Sequence, residues 1–128
     1  MINKILLLGI LALLLLTVYA ESANWLNYVE DKGGSRIYVD MESIKSTSAN
    51  TIKLLKKVEP GGLSGIDSVL SEMEMDCGNS MIRYLKVTTY FNDGKSEIAS
   101  RDEEFRKVTV EDDDELLMEL VCSLKKSK

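Results

Sequence analysis

The sequence predicts an α+β fold: strands first, one helix last, the helix covering one face of a twisted antiparallel sheet. Three observations predict it. Val69 to Cys77 alternates strictly, with Val69, Ser71, Met73, Met75 and Cys77 on one face and Glu72, Glu74 and Asp76 on the other. Leu116 to Leu124 is an apolar run opened by acids and closed by lysines, the charge order a helix dipole favours. Two cysteines, Cys77 and Cys122, stand one on each of these segments, so their pairing would pin the helix to the fourth strand.

The chain opens on Lys4 and an unbroken apolar run, Ile5 to Leu16, followed by Thr17-Val18-Tyr19-Ala20. The run is twelve residues, where a spanning helix needs about twenty. Residues 1–20 therefore read as a secretory signal peptide cleaved after Ala20. No cysteine follows the run to carry a bacterial lipid anchor, so the membrane is met only through the cleaved signal peptide. Residues 21–128 form a single domain of modest core, for which one covalent staple matters. The 16 Lys and Arg against 21 Asp and Glu give −5, and losing Lys4 with the leader gives −6. An acidic surface argues against nucleic acid and against broad adhesion to anionic membranes.

The elements follow in order. Trp25 to Val29 reads as a first strand, Gly33-Gly34 as a turn, and Arg36 to Asp40 as a second strand rich in β-formers. Asp40 to Ile44 is a tight turn or one helical turn, and Ser46 to Asn50 a polar connector. Thr51 to Val58 is a third strand with Ile52, Leu54 and Val58 on one face and Lys53, Leu55 and Lys57 on the other. Pro60-Gly61-Gly62 ends it. The alternating fourth strand comes next. Met81 to Phe91 is a fifth, with Leu85, Val87, Thr89 and Phe91 expected on one side. Asn92-Asp93-Gly94 signals a hairpin into a sixth, Lys95 to Ser100. Phe105 to Val110 is a short further strand or an extended lead-in.

Asp112 and Glu115 resemble a capping box for the helix. On a helical wheel Leu116, Leu117, Leu120, Val121 and Leu124 share one stripe, and Cys122 falls nearly opposite its centre. Either the helix lies in a groove, or its last turn rotates or unwinds to bring Cys122 to Cys77.

In an exported chain an even cysteine count reads as a disulfide, and with two the intramolecular pairing is Cys77–Cys122. A redox centre needs C-x-x-C, which is absent, and the chain has no histidine for metal or general-base work. No cofactor, metal or catalytic residue is assigned. Glu72 and Glu74 could do acid–base chemistry but read as a solvated strand face. Asp112 to Glu115 lacks the spacing and glycine of a Ca²⁺ loop and reads as helix capping. Two basic clusters, Lys53, Lys56 and Lys57 on a strand and Lys125, Lys126 and Lys128 on the helix end, are the candidate contacts for an acidic partner. Solubility on an exposed strand and dipole complementarity explain the same residues. Tyr28, Tyr38, Tyr84 and Tyr90 fall on strands, as a contact face or as sheet packing.

The order of these marks resembles the surface-adhesin protein E family of small exported bacterial proteins. The resemblance runs from Trp25 through Arg36-Ile37-Tyr38-Val39-Asp40, Ser43-Ile44 and Asp76-Cys77 to Val121-Cys122. It implies a six-stranded antiparallel sheet with a C-terminal helix held by the bridge. It also implies a non-catalytic protein in the periplasm or at the outer cell surface, with an extracellular-matrix or envelope protein as partner. The alternative is a periplasmic accessory domain, a small-ligand carrier or an inhibitor of another exported protein. A pocket lined by Met73, Met75 and Leu120 would mark the carrier.

Overall fold

The computed structural model describes residues 23–101, 103–109 and 113–126. The expected leader and Asp112 of the expected capping box lie outside them. Six strands form the main path of one antiparallel sheet: β1 (Trp25–Glu30), β2 (Arg36–Asp40), β4 (Thr51–Glu59), β5 (Ile66–Asp76), β6 (Met81–Phe91) and β7 (Ser96–Ser100), in that spatial order. Two short strands lie off it: β3 (Lys45–Ser46) pairs with β4, and β8 (Arg106–Lys107) with β6. β3 takes the start of what reads in sequence as a plain connector. The helix α1 spans Asp113–Lys126 and is regular to its end.

Sequence-adjacent strands pair almost throughout, so short turns suffice. Asp31 closes the first, its Oδ1 accepting the N–H groups of Gly33 and Ser35 at 2.9 Å each. A single 3₁₀ turn, Met41–Ser43, follows β2, capped by Asp40 through the Glu42 N–H. Gly61 permits the next loop to lie on the first turn, since a Cβ there would sit 2.2 Å from the Gly33 carbonyl oxygen. Gly94 supplies the positive φ of 89° in the β6–β7 hairpin.

The core lies between α1 and one face of the sheet. Val39, Ile52, Leu54, Met73, Met75 and Ile82 supply the sheet side, and Leu117, Met118 and Val121 the helix side. Leu117 and Val121 are on the stripe read from the sequence, but Leu116 and Leu124 are 44% and 37% exposed. The helix is turned so that Asp114, Leu117, Met118 and Val121 face the sheet. Cys122, four residues after Met118, then sits at the edge of the buried stripe and reaches Cys77 without any unwinding. The bridge closes with a Cα–Cα distance of 5.9 Å across 45 residues.

The expected face of β6 is right in one half and reversed in the other. Glu72 pairs with Lys86, but Met73 pairs with Tyr84, so Leu85 is an extra residue in the ladder. Such a bulge shifts the period-two parity. Val87 and Thr89 share a face with Ser71 and Val69, as the alternation expects, but before the bulge Ile82 and Tyr84 take that face. Glu103 holds the irregularity, its Oε2 accepting the Tyr84 N–H at 3.2 Å.

Candidate binding surface

The sheet has two unlike faces, and one strand shows both. On the covered face of β4, Lys56 follows Ile52 and Leu54 at period two and is buried with them. Its Nζ donates to Asp114 Oδ1 at 2.8 Å and to the Tyr84 hydroxyl at 3.2 Å, and that hydroxyl donates to Asp114 Oδ2 at 2.8 Å. Arg106 adds a longer contact to the same carboxylate at 3.8 Å. A buried charge is tolerated only when paired and hydrogen-bonded, and here both charges are. The pair joins mid-strand to the first turn of α1, where the dipole also favours the carboxylate. Tyr28 closes the cluster from β1. Its hydroxyl is buried with no hydrogen-bond partner among the described residues, and burial pushes its pKa well above the ordinary phenol range.

On the open face, Lys57 Nζ lies 4.6 Å from the Trp25 ring centre and 4.8 Å from that of Tyr38. This is a cation held between two aromatic faces. The Tyr38 phenol is pushed up, first by its hydrogen bond to Glu59. Lys53 pairs with Glu72 at 2.6 Å, which raises its pKa, and Arg83 Nε donates to Glu74 at 2.7 Å. Beside them an open cleft of about 570 Å³ is lined by Asp40, Ser43, Lys45, Lys53, Leu55 and Glu72 among others. Its floor is fixed: Ser43 Oγ donates to the Asp40 carbonyl at 2.6 Å and accepts the Leu55 N–H at 2.9 Å.

The candidate contacts therefore separate. Lys53 and Lys57 reach the open face, while Lys56 is only 7% exposed and belongs to the core, so the three do not form one basic cluster. Lys125 and Lys126 close α1, and their side chains lie outside the described residues. The four strand tyrosines divide as well: Tyr28 and Tyr84 pack against the core, while Tyr38 and Tyr90 stand on the open face. Glu72 and Glu74 are engaged as ion pairs. Met73 and Met75 have no exposed surface, so the face expected to line a carrier's pocket is packed core. Sequence reasoning missed the Lys56–Asp114–Tyr84 cluster and the Trp25–Lys57–Tyr38 stack. The first had a signal, since Lys56 continues the alternation of Ile52 and Leu54. The second had none, because its three residues come from three strands.

The family model for surface-adhesin protein E matches residues 25–123. The chain belongs to that family. Its fold agrees with a solved structure of Haemophilus influenzae protein E at a TM-score of 0.58 and 16% identity, covering 81% of this chain and 87% of that one. A second crystal form gives 0.57 and 16%, over 78% and 87%. A Se-Met form gives 0.56 and 17%, over 77% and 85%. No curated protein matches by sequence comparison. At such identity the structures speak for the fold alone, here one antiparallel sheet with one C-terminal helix. Membership in a surface-adhesin family makes this an exported, adhesin-type protein. No helix among the described residues is long and apolar enough to cross a membrane.

Proposed function

We propose that the protein is a non-catalytic adhesin that works by surface contact, and that the open face of its sheet is the contact surface. The observation that carries this is the asymmetry of the sheet. α1 covers one face, whereas the other presents the Trp25–Lys57–Tyr38 stack beside an open cleft that charged side chains and Leu55 line together. Trp25 and Tyr38 are half-buried, and the part of each ring left open supplies apolar contact area with a polar tip, while the flanking ion pairs give direction. The partner is an extracellular-matrix or envelope protein, met by the 21–128 domain after the leader is removed. Lys53 and Lys57 are its cationic contacts, with Lys125 and Lys126 as a second basic patch at the helix end.

The test has two arms. Intact cells are probed with antibody and external protease, beside a fractionated periplasm. Purified protein is then bound to immobilised matrix proteins, with a Trp25→Ala/Lys57→Ser double variant and Leu116→Ser as a control on the helix side. Surface exposure, with binding lost in the double variant and kept in the control, is the expected result. Signal only after the outer membrane is opened would replace host contact by a periplasmic partner. Binding that survives the double variant would move the site off this face.

A further inference from the structure

The cleft on the open face holds a carboxylate that the fold uses only in part. Asp40 is only 6% exposed. Its Oδ1 is spent, accepting the Asn24 N–H at 2.9 Å and the Glu42 N–H at 3.0 Å. Oδ2 makes no hydrogen bond and no ion pair among the described residues. The Tyr28 hydroxyl is the one fully buried polar side-chain atom among them without a partner, so Oδ2 keeps some open surface. Asp40 lines the cleft, and there a largely buried carboxylate with an idle oxygen can meet a donor.

The other walls carry both signs. Glu42 and Lys45 also line the cleft, and neither forms an ion pair among the described residues. Lys45 stands directly opposite Lys53 across β3 and β4, a like-charge pair that costs stability when nothing lies between. Lys53 is turned to Glu72 at 2.6 Å, which leaves Lys45 as the free donor. Leu55 adds an apolar patch where Ser43 fixes the floor. Trp25 is the cross-strand partner of Asp40, so the aromatic stack borders this end of the cleft.

This mixture of signs selects the ligand. A cation would be drawn to Asp40 and Glu42 but repelled by Lys45 and Lys53. An anion would be drawn to the lysines but meet three carboxylates, those of Asp40, Glu42 and Glu72. A hydroxyl both donates and accepts. Hydroxyls around a sugar ring can donate to Asp40 Oδ2 and accept from Lys45 while a C–H face of the ring lies on Leu55. The cleft, about 570 Å³, is of the size that small-molecule sites have. We propose that it binds a neutral hexopyranose unit, with Asp40 as hydroxyl acceptor and Lys45 as donor. The proposal rests on the reading of the open face as a contact surface, and it gives the partner a glycan.

Amide NMR of the oxidised, exported protein, titrated with methyl galactoside, methyl mannoside and N-acetylglucosamine, tests it. Saturable shifts at Ser43, Lys53 and Leu55 are expected with at least one of the three, at a millimolar Kd. Asp40→Asn keeps an oxygen for the Asn24 and Glu42 N–H groups but puts an amide donor in place of Oδ2. It should weaken binding by at least about tenfold. Lys45→Ala, on an exposed two-residue strand, should do the same and covers the case in which the first change disturbs the turn. Leu116→Ser, on the helix side, should leave binding unchanged. No saturable shift with any of the three up to about 100 mM would overturn the proposal. So would shifts confined to other surfaces, or an affinity that both cleft variants leave intact. Tighter binding of glucosamine or N-acetylneuraminate would also overturn it, since charge would then decide. Free sugars report on the cleft alone and the matrix-protein assay on the whole face, so either reading can fail without the other.

Discussion

Lys56 and Lys57 are neighbours in one strand and live in different physical worlds. Lys56 is buried, and its charge survives because Asp114 and Tyr84 surround it. Lys57 stands on the open face, held by the rings of Trp25 and Tyr38. The first contact can be lost only at the cost of a stranded charge, whereas water readily replaces the second. The covered face therefore holds the fold, and the open face is the one we propose for a partner. Four substitution or titration experiments can break or sharpen that division.

The largest effect is expected at the buried pair. Asp114→Ala strands the buried Lys56 ammonium, a cost of about 3–5 kcal/mol in urea unfolding, and Lys56→Ala costs less, because Arg106 still reaches the Asp114 carboxylate at 3.8 Å. The double Lys56→Met/Asp114→Leu should cost much less than the sum, because it removes both charges and keeps volume. If either single change costs under about 1 kcal/mol, the pair is not the clamp between α1 and the sheet.

Next is the disulfide. Cys77→Ser/Cys122→Ser releases a link spanning 45 residues. The chain-entropy account puts the loss at up to about 4 kcal/mol. Denaturation of oxidised and double-serine protein under matched conditions measures it. Hydrogen exchange should show α1 and the Cys77 end of β5 opening first. Uniform loss of protection across the sheet would mean that the bridge tethers more than the helix.

The open face should be nearly silent in the same assays. Lys53→Ala removes an exposed pair with Glu72 and should change stability by less than about 1 kcal/mol, less still at high salt. A larger loss would show that this face also carries the fold, and would weaken its claim to be a free contact surface.

The division between faces was only partly legible in the sequence. Where apolar and polar residues alternate without interruption, as from Val69 to Cys77, period two predicts the buried side correctly. It gives the wrong side at Ile82 and Tyr84, because the extra residue Leu85 shifts parity and no composition signal announces a bulge. The helix was legible as a helix, but its rotation was not. Leu116, Leu120 and Leu124 make the more apolar stripe, yet a disulfide and a buried ion pair turn Cys122 and Asp114 inward instead. Lys56 was passed over because composition treats lysine as surface, though its position in the alternation places it inside. The pairing of Cys77 with Cys122 was fixed by number alone. The Trp25–Lys57–Tyr38 stack depends on strand order, which one-dimensional reasoning does not supply.

The smallest effect expected is a titration. Asp76 ends the row of acids on the open face of β5, and its carboxylate is spent on the turn that follows. Oδ2 accepts the Asn79 side-chain amide at 2.9 Å, and Oδ1 accepts the Gly78 and Asn79 N–H groups at 3.1 Å each. The Asn79 side-chain bond, ahead of the backbone bonds and the charge of Lys107, holds its pKa below the ordinary carboxylate range. A depressed pKa means that the contribution is full above the unfolded-state value and is lost as pH falls through the folded one. The turn that presents Cys77 should thus loosen only in strong acid. The Gly78 and Asn79 amide resonances should titrate with a midpoint below that of a free aspartate. A midpoint at or above the free value would show that the carboxylate is not held, and that the bridge alone fixes this end of β5. Asp114, by contrast, answers to Lys56 and Tyr84 rather than to a turn, so Asp76→Asn should leave the helix clamp intact while shifting only these local resonances.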